Sequence, residues 1–168
     1  MKAKDARVLL TGATGGIGQA AASALVGAGA SVMLLGRSPA RLAAQARALA
    51  RTCTGPTPPS IEWYAADLTR TSSLGGISDV AAGWGCNVLV HNAGVPAFGR
   101  IEAFAATEMA QVMHLNLFAP MLLTQALLPH LRTRAAPKQH MPAAERCRCG
   151  GIFCAVSRLE VRSAMRAT

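Results

Sequence analysis

Short apolar runs alternate with longer, periodically apolar stretches along this chain. Arg7 to Thr11 with its Val8-Leu9-Leu10 centre, Ser31 to Gly36, Ile61 to Ala66 and Asn87 to His91 are nearly continuous apolar runs. The last of these, Asn87 to His91, is of the kind buried on both faces of a parallel sheet. Between them the period lengthens. Ile17, Ala20, Ala21, Ala24, Leu25 and Ala28 fall at helical spacing in a stretch that ends at Gly27 to Gly29, and Leu42, Ala46 and Leu49 line one face of a helix opened by Pro39. The segment 52–60 carries three prolines and a glycine and predicts a loop. Thr69 to Gly83 predicts a helix weakened by Gly75-Gly76. A long helical region follows from about Glu102 to Arg132, with Phe104, Met109, Val112, Met113 and Leu117 at core spacing and an interruption near Pro120.

Strands that alternate with helices predict an α/β fold of Rossmann type, a doubly wound parallel sheet. Right-handed crossovers give the strand order 3-2-1-4, with a fifth strand beyond. Ligands of such sheets sit at the carboxyl ends of strands one and four, where the winding reverses. Two polar, glycine-containing turns fall there, Thr11 to Gly18 and Asn92-Ala93-Gly94.

Composition narrows the function classes. The chain has 168 residues, 51% of them hydrophobic and 4% aromatic, and a net charge of +9. Residues 1–130 hold nine Lys/Arg against six Asp/Glu, whereas residues 131–168 hold eight against two, so the basic excess belongs mainly to a tail. Without interleaved aromatics or a recognition motif beside it, nucleic acid is not an expected partner. Cys53, Cys86, Cys147, Cys149 and Cys154 contain no Cys-x-x-Cys pair; His140 with the last three has irregular intervals, and no metal site is expected. The N-terminus has too short an apolar run for a signal peptide, and no uninterrupted apolar stretch of ~18 residues exists. A cytoplasmic protein with reduced thiols and no membrane span is expected.

Chemistry is concentrated in Thr11-Gly12-Ala13-Thr14-Gly15-Gly16-Ile17-Gly18, between the first strand and the first helix. Gly12 can take a backbone conformation closed to other residues, Gly16 lets main chain approach a phosphate, and Gly18 lets the helix pack closely. The helix N-terminus offers unpaired N–H groups and roughly half a positive charge to an anion. The spacing Gly-x-x-x-Gly-x-Gly with the leading Thr11 resembles the short-chain dehydrogenase/reductase family, whose members bind NAD(H) or NADP(H) in this turn.

Further motifs fall where the family would have them. Arg37 follows the second strand, at the place where a carboxylate would hold the adenosine ribose hydroxyls of NAD; a guanidinium there suits a 2′-phosphate, so NADP(H) is favoured over NAD(H). Asp67-Leu68 resembles the family's Asp-hydrophobe pair, in which the aspartate accepts from the adenine amino group, although Asp67 also suits a helix cap. His91-Asn92-Ala93-Gly94 resembles the family's Asn-Asn-Ala-Gly, with His91 departing at the first position and expected to bond across the strand. Asn116, four residues before Pro120, is similar to a family asparagine that bends its helix and holds a water in the proton relay. The resemblance spans residues 6–132. It implies a cofactor-binding set of Thr11, Gly12, Thr14, Gly15, Gly16, Ile17, Gly18, Arg37, Asp67, Leu68, Asn92, Ala93 and Gly94, with Asn116 on the catalytic side.

The family's chemistry also uses a serine after strand five and a Tyr-x-x-x-Lys on the next helix. This chain has one tyrosine, Tyr64, and lysines only at 2, 4 and 138, so it has no such motif. Two accounts of residues 133–168 compete. In one, Gly150 to Ser157 is strand five and Ser157 the substrate-side serine, after an insertion at 133–149. In the other, preferred here, the tail is out of frame: back-translating Val156 to Met165 with a shift of one base permits Tyr-x-Ala-Ser-Lys-Phe-Ala-Leu, much like the absent helix. The expected protein is a dinucleotide-binding domain at 1–132 with an atypical basic tail. In intact, usually homo-oligomeric relatives a hydride passes between nicotinamide and a small carbonyl or alcohol substrate; this chain is expected to be incomplete and inactive. The alternative is a non-catalytic dinucleotide-binding or interaction protein.

Overall fold

The computed structural model describes residues 3–54, 56–97 and 99–134. Four strands, β1 (Arg7–Thr11), β2 (Ser31–Gly36), β3 (Ile61–Ala65) and β4 (Val88–Val90), form one sheet in the order β3-β2-β1-β4. All three pairings are parallel, with Leu9 opposite Met33 and Leu89, and Leu34 opposite Trp63. The expected order 3-2-1-4 holds; the expected fifth strand at 150–157 lies outside the described residues.

The helices are α1 (Gly16–Gly27), α2 (Pro39–Thr52), α3 (Ser72–Trp84), α4 (Ala106–Met113) and α5 (Ala119–Arg134). Alternation along each strand divides the core. Val8, Leu10, Val32 and Leu34 pack with Ala22, Val26, Leu42, Ala46 and Leu49 of α1 and α2 on one face of the sheet. Leu9, Met33, Leu35 and Leu89 pack with Ile77 and Ala81 of α3 and Leu123 and Leu127 of α5 on the other. Helices on both faces explain why β1 and β2 are apolar on both sides, whereas the edge strand β3 leaves Glu62 and Trp63 exposed.

Two of the expected helix faces are corrected. In α1 the buried positions are Gly18, Ala22 and Val26, with the expected Ala21 and Leu25 partly buried against the same core, whereas Ile17 is 79% exposed and Ala20, Ala24 and Ala28 are exposed. Alanine on every side gives a helix little amphipathic contrast, so the packing is set by the small Gly18 and not by the largest apolar side chain. In the long helical region Met109 and Met113 are exposed, and the buried stripe is Ala119, Leu123, Leu127 and Leu131, all in α5.

The interruption near Pro120 is a π turn, His114–Phe118, between α4 and α5. Proline has no N–H, so the Asn116 carbonyl four residues earlier loses its helical donor, and the ladder widens: the Ala119 N–H reaches back to the His114 carbonyl. Ala106–Arg132 is 27 residues long and apolar enough by length and composition to cross a membrane. In this fold its α5 stripe joins the core beside α3.

Candidate functional site

The carboxyl ends of β1 and β4 meet through a single hydroxyl. Thr11 is buried, and its Oγ1 accepts from the backbone N–H groups of Asn92 and Ala93, both at 3.0 Å, while donating to the Val90 carbonyl at 3.4 Å. The Asn92 amide returns the contact: Nδ2 donates to the carbonyls of Thr11 at 3.2 Å and Gly12 at 3.0 Å. Two turns separated by about eighty residues of chain are thereby locked together.

That lock explains two glycines. Gly12 has φ +64°, and a Cβ there would lie 2.7 Å from Ala93 Cα. A Cβ on Gly18 would collide with the Gly12 carbonyl oxygen and with Asn92 Nδ2, so Gly18 permits α1 to sit against the turn as well as against the sheet. Gly16 differs: a Cβ there would meet nothing within 4 Å. It borders open space at the start of α1, whose N-cap Gly15 has no side-chain cap, so the first helical N–H groups have no partner within the helix.

The open space is a cleft of about 370 Å³. Of the residues expected in it, Gly12, Thr14, Gly15, Gly16, Ile17, Gly18, Arg37, Asp67, Leu68, Asn92, Ala93 and Gly94 line its wall. Thr11 and Asn116 stand behind it. Asn116, in the π turn, exchanges two bonds with Val95: its Oδ1 accepts from Val95 N–H at 2.9 Å and its Nδ2 donates to the Val95 carbonyl at 2.8 Å. The exposed Ile17 is thus part of the cleft wall, and the π turn adds Leu115 to that wall while Asn116 holds Val95 from behind.

At the far end, Asp67 Oδ1 accepts from the Thr69 N–H at 2.9 Å and the Thr69 hydroxyl at 2.8 Å. These bonds, with smaller contributions from the Arg37 and Arg70 guanidiniums, hold the carboxyl below its ordinary pKa against the opposing effect of burial. Asp67 therefore braces the turn ahead of α3 and still faces the cleft. His91 does not bond across the strand as expected; its Nε2 pairs with Thr124 Oγ1 of α5 at 2.9 Å, and burial lowers its pKa.

Arg41 lines the cleft too, and sequence reasoning missed it. Its only signal is its place in the first turn of α2, four residues after Arg37, where an exposed arginine looks like ordinary helix surface. Among the described residues no group of His, Cys, Asp and Glu could hold a metal. Ser157, Cys147, Cys149, Cys154 and His140 lie outside the described residues.

A glycine turn on a helix N-terminus, a cation after β2 and a polar turn after β4 define a dinucleotide-binding α/β protein. The chain belongs to the short chain dehydrogenase family, which it matches over residues 6–138. It is similar to dehydrogenase/reductase SDR family member 7B of Mus musculus, 33% identical over 134 residues, 78% of this chain and 41% of that protein. Among solved structures it is similar to a metagenomic short-chain oxidoreductase in complex with NADP, TM-score 0.68 and 32% identity, over 77% of this chain and 57% of the other. It is also similar to L-sorbose reductase from Gluconobacter frateurii complexed with NADPH and L-sorbose, TM-score 0.70 and 25% identity, over 77% and 48%. The chain thus spans less than half of the mouse relative and about half of each solved structure.

Proposed function

We propose that this chain is the cofactor-binding part of a short-chain dehydrogenase/reductase, that it binds NADP(H) in preference to NAD(H), and that its 168 residues by themselves do not catalyse hydride transfer. The observation that carries the binding reading is the cleft: open space at Gly16, uncapped N–H groups at the start of α1, and Arg37 on the same wall. The pyrophosphate would lie at Gly16 and Ile17, where unpaired backbone N–H groups replace its water, the Gly15 N–H being held by the Gly12 carbonyl. Asp67 would accept from the adenine amino group. Arg37 would grip the 2′-phosphate with two charge-assisted bonds. The neighbours solved with NADP or NADPH support this preference. The bound nicotinamide supplies or accepts a hydride, and this chain's residues would orient it: Gly94 and Val95, held by Asn116, form the wall nearest the π turn.

A hydride acceptor also needs a proton, and a positioned acid/base typically contributes ~10²–10⁴-fold to the rate. Tyr64, the one tyrosine, is in β3, packed beside the α3 core. Fluorescence titration of the purified chain with NADPH and NADH tests the reading. NADPH should bind more tightly, and Arg37→Asp should reverse the order, because it sets a carboxylate against the phosphate. Equal affinities in the unmodified chain would overturn the preference. Consumption of NADPH with a panel of aldehydes and ketones would overturn the claim of inactivity.

A further inference from the structure

The glycine turn is restrained from outside the cofactor's own contacts. Ala13 N–H donates to the Leu35 carbonyl at 3.1 Å on one side of the turn, and Gln19 N–H to the Gly15 carbonyl at 2.8 Å on the other. Between those fixed points the Thr14 carbonyl accepts from Gln19 Nε2 at 3.0 Å and from an Arg41 guanidinium N–H at 2.7 Å. Arg41 itself is anchored, its backbone N–H donating to Ser38 Oγ at the start of α2. A short charge-assisted bond therefore ties α2 to the middle of the turn, across 27 residues of chain.

Arg37 and Arg41 face the same cleft, but only Arg41 spends its fork on a main-chain oxygen of the turn. We propose that Arg41 is a positioning residue that fixes Thr14-Gly15-Gly16 through the Thr14 carbonyl. It sets the affinity for the pyrophosphate common to NADP(H) and NAD(H), while Arg37 discriminates between the two. This rests on the dinucleotide reading above. The physical ground is that an anion cradle made of backbone N–H groups is only as good as its geometry. Gly15 and Gly16 have no side chains to hold them, and the neighbouring carbonyl is the nearest handle.

The experiment compares the full chain with Arg41→Met, which keeps length and removes the donors, and Arg41→Lys, which keeps one cationic donor. NADPH and NADH are titrated separately, and amide hydrogen exchange at Gly15 and Gln19, whose N–H groups donate to the Gly12 and Gly15 carbonyls, is followed without cofactor, with Leu34 of β2 as the internal reference. Arg41→Met should weaken both cofactors by the same factor, roughly three- to tenfold, and Arg41→Lys should recover part of both losses. Exchange at Gly15 and Gln19 should quicken in Arg41→Met while Leu34 stays unchanged. A loss confined to NADPH would make Arg41 a phosphate ligand and overturn the proposal, as would unchanged exchange in the turn. A parent chain that binds neither cofactor would overturn the dinucleotide reading instead, and the exchange rates would still decide whether Arg41 fixes the turn.

Discussion

Asn116 and Val95 satisfy each other's polar groups in both directions, side-chain amide against backbone amide, at 2.9 and 2.8 Å. The pair joins the π turn to the loop after β4. Pro120 and Asn116 therefore act together: the proline opens the helix at the turn from which Asn116 reaches that loop. Asn116→Ala should destabilise the chain by about 1–2 kcal/mol, the net value of two partly buried hydrogen bonds. It should weaken NADPH more than adenosine 2′,5′-bisphosphate, because the proposed binding mode sets the nicotinamide against the loosened loop. Calorimetric titration with both ligands checks this, and equal losses would detach Asn116 from that end of the cleft.

Gly16 and Gly18 should respond in opposite ways. A Cβ at Gly16 meets nothing, so Gly16→Val should leave the melting temperature near that of the parent yet abolish dinucleotide binding, since it fills the phosphate's space. A Cβ at Gly18 meets the Gly12 carbonyl and Asn92, so Gly18→Ala should lower stability by about 1–3 kcal/mol through overpacking. Thermal denaturation with and without NADPH separates the two. A Gly16→Val protein still stabilised by NADPH would show that the turn does not cradle the phosphates.

Much of this was legible in the sequence because the chemistry demanded it. Strands covered on both faces must be apolar throughout, and β1 and β2 run from Arg7 to Thr11 and from Ser31 to Gly36 as expected. Leu42, Ala46 and Leu49 stood out in α2 because arginines and glutamine surround them. The α1 face was not legible, since a helix of alanines offers no contrast and its orientation was decided by the contact of Gly18 with a turn formed from two distant segments. Arg41 was hidden for the same reason: its partner is a backbone oxygen, which has no sequence signature.

The Thr11 hydroxyl joins β1 to the turn after β4. Thr11→Val keeps the shape but leaves the N–H groups of Asn92 and Ala93 without their acceptor, whereas Thr11→Ser keeps the oxygen. Leaving such groups unsatisfied costs about 1–3 kcal/mol, so Thr11→Val should melt well below the parent and Thr11→Ser close to it. Urea denaturation of the two variants measures the difference. Similar midpoints would mean that the hydroxyl does not join β1 to β4.

His91 sets the pH dependence of stability. Burial lowers its pKa in the folded chain, so the unfolded chain takes up a proton first as the pH falls. The contribution of neutral His91 is complete above the unfolded value, near 6.5, shrinks as the pH drops below it, and is fully lost below the lowered folded value. The direction is the reverse of a histidine that gains an acidic partner. Asp67, whose folded pKa is also lowered, begins to lose its contribution as the pH falls through the ordinary carboxylate value and loses it fully below the lowered one. His91→Asn should therefore flatten the fall in melting temperature that sets in below about pH 6.5. It should leave unchanged the second fall, from Asp67, at lower pH. Asparagine can still meet Thr124 only through a shorter arm, so some stability at pH 8 should be lost in exchange. Scanning calorimetry of both proteins across this range decides the matter: parallel curves would assign the acid sensitivity to another group.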